Sequence, residues 1–212
     1  MKYIKLFESF EDYDPYELMI TPPNKKGEML IQEINKKDKA NLNLVRDLIT
    51  LGTNLDWQDE EGRTALHYCA MWNRPEILRI LIDAGTDINI QRNDGWTALH
   101  ICASYNHRGI AKMLIDAGAD LNIQSNNGLT ALHYCAMWNR PEIARMLIDA
   151  GADLNIQDTD GWTALHWCAR WNHPEILGIL IDAGADKTIP TNDGKLPYEL
   201  AKTQEMKTIL QP

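Results

Sequence analysis

The chain has 212 residues, with Lys+Arg 21 against Asp+Glu 30 and a formal net charge of −9. That balance argues against sequence-independent nucleic-acid binding, where lysine and arginine must neutralise phosphates, and against docking on an anionic membrane surface. No run of about 18 apolar residues occurs, so no transmembrane helix is expected, and the composition reads as a soluble, cytoplasmic chain without a cofactor.

The opening MKYIKLFESFEDYD has neither an uninterrupted apolar core nor a small-residue cleavage site, so no signal peptide is expected. Residues 1–25 form a non-repeat extension. Tyr3, Ile4, Phe7 and Phe10 fall at near-helical spacing and would either pack on the next element or dock a partner. Residues 26–58 read as a degenerate repeat unit. Leu44, Val45, Leu48 and Ile49 give its second helix an apolar line, and Gly52 follows. Gln32, Glu33, Lys36 and Lys37 give its first helix the polar face of an end cap.

Four full units follow, over residues 59–91, 92–124, 125–157 and 158–190. TALH opens them at Thr64, Thr97, Thr130 and Thr163, each 33 residues after the last. A fixed period of that size signals a stacked array in which each unit buries its apolar face only against its neighbours. Residues 191–212 are a shortened last unit, with LPYELA in place of TALHYCA and lysines at 195, 202 and 207. The repeating pattern is a glycine turn, T-A-L-H, a second helix with E-I, and a G-A-D-x-N close. It closely resembles the ankyrin repeat. The resemblance implies an all-α solenoid of helix-turn-helix units joined by β-turn-like fingers, and a job of binding other macromolecules.

Within a unit, Gly62, Gly95, Gly128, Gly161 and Gly194 are placed for tight turns at positive φ. Asn73, Asn106, Asn139 and Asn172 stand where the family usually has glycine, and asparagine is the next-best left-handed helix end. Pro75, Pro141 and Pro174 open the second helix, where a missing N–H costs nothing. His107-Arg108-Gly109 breaks that pattern, which makes this helix start the least rigid, with Gly109→Pro the expected remedy.

Residues capable of chemistry recur once per unit and do not converge. His67, His100, His133 and His166 are one repeat apart, roughly 10 Å by helix-packing distance. The resemblance gives them a hydrogen bond between neighbouring turns. Cys69, Cys102, Cys135 and Cys168 have the same spacing, too wide for a disulfide or a shared zinc, and read as buried reduced thiols without metal. The aspartates at 83, 116, 149 and 182 end the second helix, and neither these nor the Asp-x-Asn close has calcium-loop spacing. No phosphate loop, G-x-S-x-G or H-E-x-x-H occurs, so no enzyme activity is expected.

The aromatic residues differ. Trp72, Tyr105, Trp138 and Trp171 end the first helix of each full unit, flanked by Met71, Met137 and Arg170. Arg63, Trp96, Leu129 and Trp162 follow the turn glycines. In the resembled family both positions face the concave surface, so two rows of large side chains are expected along one open face, while Trp57 and Trp167 read as packing residues. Glu60, Glu61, Asp94, Asp160 and Asp193 make an acidic rim. An apolar centre with a charged rim is interface anatomy. The units also alternate. The first and third share ALHYCAMWNRPEI, and the second and fourth share Gly-Trp-Thr.

The expected function is a module that binds a partner protein of apolar and basic surface through this aromatic face. A nucleotide or small-molecule sequestering protein that stacks its ligand on the tryptophans is the alternative, and a self-associating homo-oligomeric scaffold is a third. The opening MKYIKLFESF is similar to leaders of some bacteriophage-encoded proteins, a source that would make the partner a host protein, such as a defence component, to be occluded.

Overall fold

The structure, a computed structural model, describes residues 15–36 and 40–211. The expected amphipathic face of Tyr3, Ile4, Phe7 and Phe10, and the cap residue Lys37, lie outside the described residues. The described residues form helices and turns without a strand. In chain order the helices are α1 (Pro15–Ile20), α2 (Pro23–Ile34), α3 (Leu42–Thr50), α4 (Ala65–Trp72), α5 (Pro75–Asp83), α6 (Ala98–Tyr105) and α7 (Arg108–Asp116). They continue with α8 (Ala131–Trp138), α9 (Pro141–Asp149), α10 (Ala164–Trp171), α11 (Pro174–Asp182), α12 (Pro197–Leu200) and α13 (Gln204–Leu210).

Helices α2, α4, α6, α8, α10 and α12 pack side by side as one row, and α3, α5, α7, α9 and α11 as a second row behind it. An eight-residue helix is too short to persist in water alone. Here each inner helix is buried on nearly every side, as Ala65, Leu66, Cys69 and Ala70 of α4 illustrate. The outer helices are amphipathic, with Ile77, Leu78 and Leu81 of α5 turned inward. The inner helices α4, α6, α8 and α10 each end on a left-handed asparagine, with φ 51 at Asn73, 62 at Asn106, 53 at Asn139 and 60 at Asn172. That turn carries the chain straight into the outer helix.

Between units the chain forms a turn whose neighbours are bonded in series. Asn93 N–H donates to Glu61 O at 3.0 Å, Asn126 N–H to Asp94 O at 3.0 Å, and Asn192 N–H to Asp160 O at 3.0 Å. Gly95 shows why the turn residue is fixed. Its φ is +84°, and a Cβ there would lie 2.5 Å from Asn126 N of the next turn.

The first helix of the degenerate unit starts at Pro23, so α2 spans the expected end of the extension. Its polar residues are not all solvated, as an end cap would have them. Glu33 is only 2% exposed. It accepts from Asn41 N–H at 2.6 Å and pairs with Lys36 at 2.5 Å. The buried Lys26 ammonium likewise donates to Leu51 O at 2.7 Å. These charges tie helix ends together, which a pattern of polar letters does not reveal.

The irregular start of α7 also differs from the expectation. Arg108 takes the first helical position that Pro75, Pro141 and Pro174 take elsewhere, and Gly109 takes the second, where the other units have Glu76, Glu142 and Glu175. Proline at 109 would therefore not match the other units. Gly109 has ordinary negative φ, and a Cβ there meets nothing within 4 Å. Gly109→Ala is expected to stabilise the chain by about 0.4–1 kcal/mol, by lowering the entropy of the unfolded chain. Chemical denaturation measures it, and a loss of stability would show that this turn needs glycine.

Candidate functional site

The site is built from what the inner helices leave outside the core. The inner helices of the four full units, α4, α6, α8 and α10, each start with a threonine cap and a histidine in the first turn. Thr64 N–H donates to His67 Nδ1 at 3.0 Å, and His67 Nε2 lies 2.9 Å from Trp96 O in the next turn. A backbone N–H only donates and a carbonyl only accepts, so the imidazole is the neutral Nε2–H tautomer. His100 bridges to Leu129 O, His133 to Trp162 O and His166 to Lys195 O in the same way. Burial lowers the pKa of all four, with His100 brought to about 4, against the raising effect of the carbonyl bond. None of them is poised for general acid–base work near neutral pH. The cysteines are fully buried, and burial pushes their thiols well above the usual range, which leaves them poor nucleophiles.

The C-terminal ends of the same helices are open. Trp72 is 45% exposed, Tyr105 58%, Trp138 50% and Trp171 49%, among the few large apolar side chains exposed in the described chain. Met71 and Met137 sit beside them, half-buried against the core. Arg170 is exposed and lies with Lys202 over the Trp171 ring, at 5.7 and 5.9 Å from its centroid. Met137, Trp138, Trp171 and His173 line a half-open cleft of ≈ 280 Å³.

The second expected row is not open. Leu129 is only 8% exposed and belongs to the core. Trp96 packs tilted against Tyr134 with ring centroids 4.5 Å apart, and Trp162 against Trp167 at 4.9 Å, and both are half-buried. Arg63 is held by Asp59 at 2.9 Å and Glu61 at 2.6 Å and lies over Tyr68. The cause is local. The residue after the turn glycine faces the aromatic residue at the middle of an inner helix, and a bulky side chain folds down on it. Tyr68 and Trp167 are themselves fixed by hydrogen bonds to Asp59 and Asp158. Trp57 and Trp167 pack against the core as expected.

The acidic residues expected at the rim differ in their surroundings. Glu60, Asp160 and Asp193 are exposed. Glu61 is paired with Arg63, and Asp94 with Arg92 at 2.7 Å. Desolvation would raise the Asp94 carboxyl, but hydrogen bonds from Arg92 and the Trp96 backbone outweigh it and hold the carboxyl below its ordinary value.

Two features of the face lay outside the expectations. Arg74, His107, Arg140 and His173 each reach back to a carbonyl at the end of the preceding inner helix. The acceptors are Lys36 O at 2.8 Å, Ala70 O at 2.7 Å, Ser104 O at 3.2 Å and Ala136 O at 2.8 Å. Gln58, Gln91, Gln124 and Gln157 form an amide ladder under the turns, each bonded to its own turn and to the backbone at the end of the next unit. The glutamine recurs unchanged at the repeat period, so for the amide ladder the period itself was the available signal.

A family model for ankyrin repeats, in three copies, matches residues 32–125 and again residues 117–191, well over half of the chain.

The buried imidazoles make stability depend on pH. An unfolded histidine takes up a proton near pH 6.5, whereas the folded ones resist it, His100 down to about 4. The unfolded state therefore binds more protons in this window, so stability falls as pH falls through it and is fully present above it. The melting temperature is expected to drop steadily from pH 7 to pH 4.5, with a shallower slope in His100→Gln. A flat profile over that range would contradict the neutral-imidazole assignment.

Proposed function

Because the chain belongs to the ankyrin repeat family, we propose that it binds a partner protein through the exposed row of Trp72, Tyr105, Trp138 and Trp171. Ankyrin repeats generally mediate protein–protein interaction and are typically non-enzymatic. The observation that carries the reading is the placement of four half-exposed aromatic side chains at one repeated position, while every neighbouring aromatic is packed. Exposed contiguous aromatic surface marks an interface, and Trp and Tyr are the usual anchors of binding energy.

Met71, Met137 and Arg170 border the row and belong to the contact, whereas Arg63, Trp96 and Trp162 are packed on Tyr68, Tyr134 and Trp167 and stay outside it. The exposed Glu60, Asp160 and Asp193 favour a partner with basic groups around an apolar centre. Reduced, buried cysteines suit a reducing compartment such as the cytoplasm. Occlusion of a host protein is the form this function takes if the chain is phage-encoded.

A second reading has one observation behind it. Arg170 and Lys202 both lie over Trp171, an arrangement suited to a flat anionic ligand such as a nucleotide. A thermal shift with nucleotides alone would favour it.

Capture of proteins from a lysate of the source cell separates stability from binding. Trp138 is already 50% exposed, so removing its ring forfeits about half of a buried tryptophan's area, at most about 3 kcal/mol of stability. Trp138→Ala is expected to retain a cooperative melt and to weaken the captured complex by about tenfold or more. Leu81→Ala is expected to do the reverse, costing about 2–5 kcal/mol of stability. Undiminished capture by a chain lacking Trp72, Trp138 and Trp171 would refute the proposal.

A further inference from the structure

The cations of the aromatic face gather at one end of it, away from its acids. Arg170 and Lys202 are exposed and both lie over the Trp171 ring, at 5.7 and 5.9 Å from its centroid. Neither has an ion-pair partner among the described residues. Other arginines of this acid-rich chain find carboxylates. Arg63 pairs with Asp59, Arg92 with Asp94, Arg108 with Glu142 and Arg145 with Glu175. Arg140, just after Trp138 in sequence, bonds instead to the Ser104 carbonyl, which leaves its charge uncompensated. The carboxylates of the turns do not neutralise this end. Asp160 precedes α10, and Arg170 stands in the last turn of that helix. A helix of this length spans about 12 Å, beyond the ~8 Å over which exposed charges act on one another in physiological salt.

We propose that the cleft lined by Met137, Trp138, Trp171 and His173 takes one large apolar side chain from an acidic segment of a partner protein, and that a neighbouring carboxylate of the segment meets Arg170 and Lys202. The inference rests on the binding reading above and names the partner's chemistry at this end of the row. The partner's basic groups then lie over the turns, and its acidic groups over the helix ends.

Three observations support this occupant. The first is size. At ≈ 280 Å³ the cleft is smaller than the about 300–1,000 Å³ of sites that enclose a whole small molecule, and it suits a single side chain. The second is the hydrogen-bonding inventory. Trp72 and Trp167 donate their indole N–H to Asn35 and Asp158, whereas those of Trp138 and Trp171 have no partner among the described residues. With Arg170 and Lys202 beside them, the site offers donors, and a carboxylate is the side-chain group that only accepts. The third is order. Two cations already seated over one ring lose less freedom when they pair with an anion than side chains loose in water.

The test uses a displayed library of random dodecapeptides selected on the full chain, followed by affinity measurements on synthetic versions of the enriched peptides. The expected result is peptides in which Asp or Glu flanks a large apolar residue. Their affinity is expected to fall by about tenfold or more on Trp171→Ala, on replacement of the apolar residue by Ala, and on the double change Arg170→Glu with Lys202→Glu. The melting curve of each variant confirms that it is folded. Basic or neutral peptides that need Trp138 and Trp171 overturn this inference and leave the binding reading standing. So does a thermal shift by ADP alone that disappears in Trp171→Ala, which gives the cleft to a nucleotide, or a dimer of the chain that dissociates in the same variant, which gives it to a second copy. Enrichment only of peptides indifferent to Trp138→Ala and Trp171→Ala, or no enrichment, overturns both.

Discussion

Everything in this molecule depends on a hydrogen bond that each unit makes outside itself. The imidazole of His67, His100, His133 or His166 joins the cap of its own helix to a carbonyl of the next turn. Eight-residue helices cannot stand alone, and a linear array is stable only as the sum of its interfaces. The imidazole can perform this task only when neutral, since it must accept on Nδ1 and donate from Nε2 at once. Burial enforces that state, and the glutamine amides repeat the same logic one layer out.

This scaffold determines where function can sit. Polar groups inside the stack are occupied by ladders and caps, and small residues such as Ala70 and Cys69 bring the inner helices together. Only the last turn of each inner helix projects beyond the packing. A large aromatic there is half-covered by its neighbours, so it is held in place and still accessible. The aromatics after the turn glycines end up differently because they meet Tyr134 and Trp167 within reach. One row stays half-open and the other is packed down on the inner helices.

Much of this was legible in the letters. The 33-residue period gave the units, the left-handed asparagines and the exposed row, because each depends on backbone geometry that recurs with the repeat. The burial of Leu129 was not legible, since a position variable in the pattern can be filled by a core side chain when the residue is apolar and small enough to fold under. Nor was the burial of Glu33 and Lys26, whose charges are satisfied by backbone groups distant in sequence. The reach of Arg74, His107, Arg140 and His173 into the preceding unit depends on distances between units, which a one-dimensional period does not contain.

The central claim is a division of labour between outer and inner aromatics. The chain has 7 tryptophans, each with one indole N–H reporter. Titration of nitrogen-labelled protein with its captured partner, followed by two-dimensional NMR, reads them individually. The account predicts that signals of Trp138 and Trp171 move on binding while those of Trp96, Trp162 and Trp167 stay in place. Movement centred on the latter three, with Trp138 and Trp171 unaffected, would contradict it.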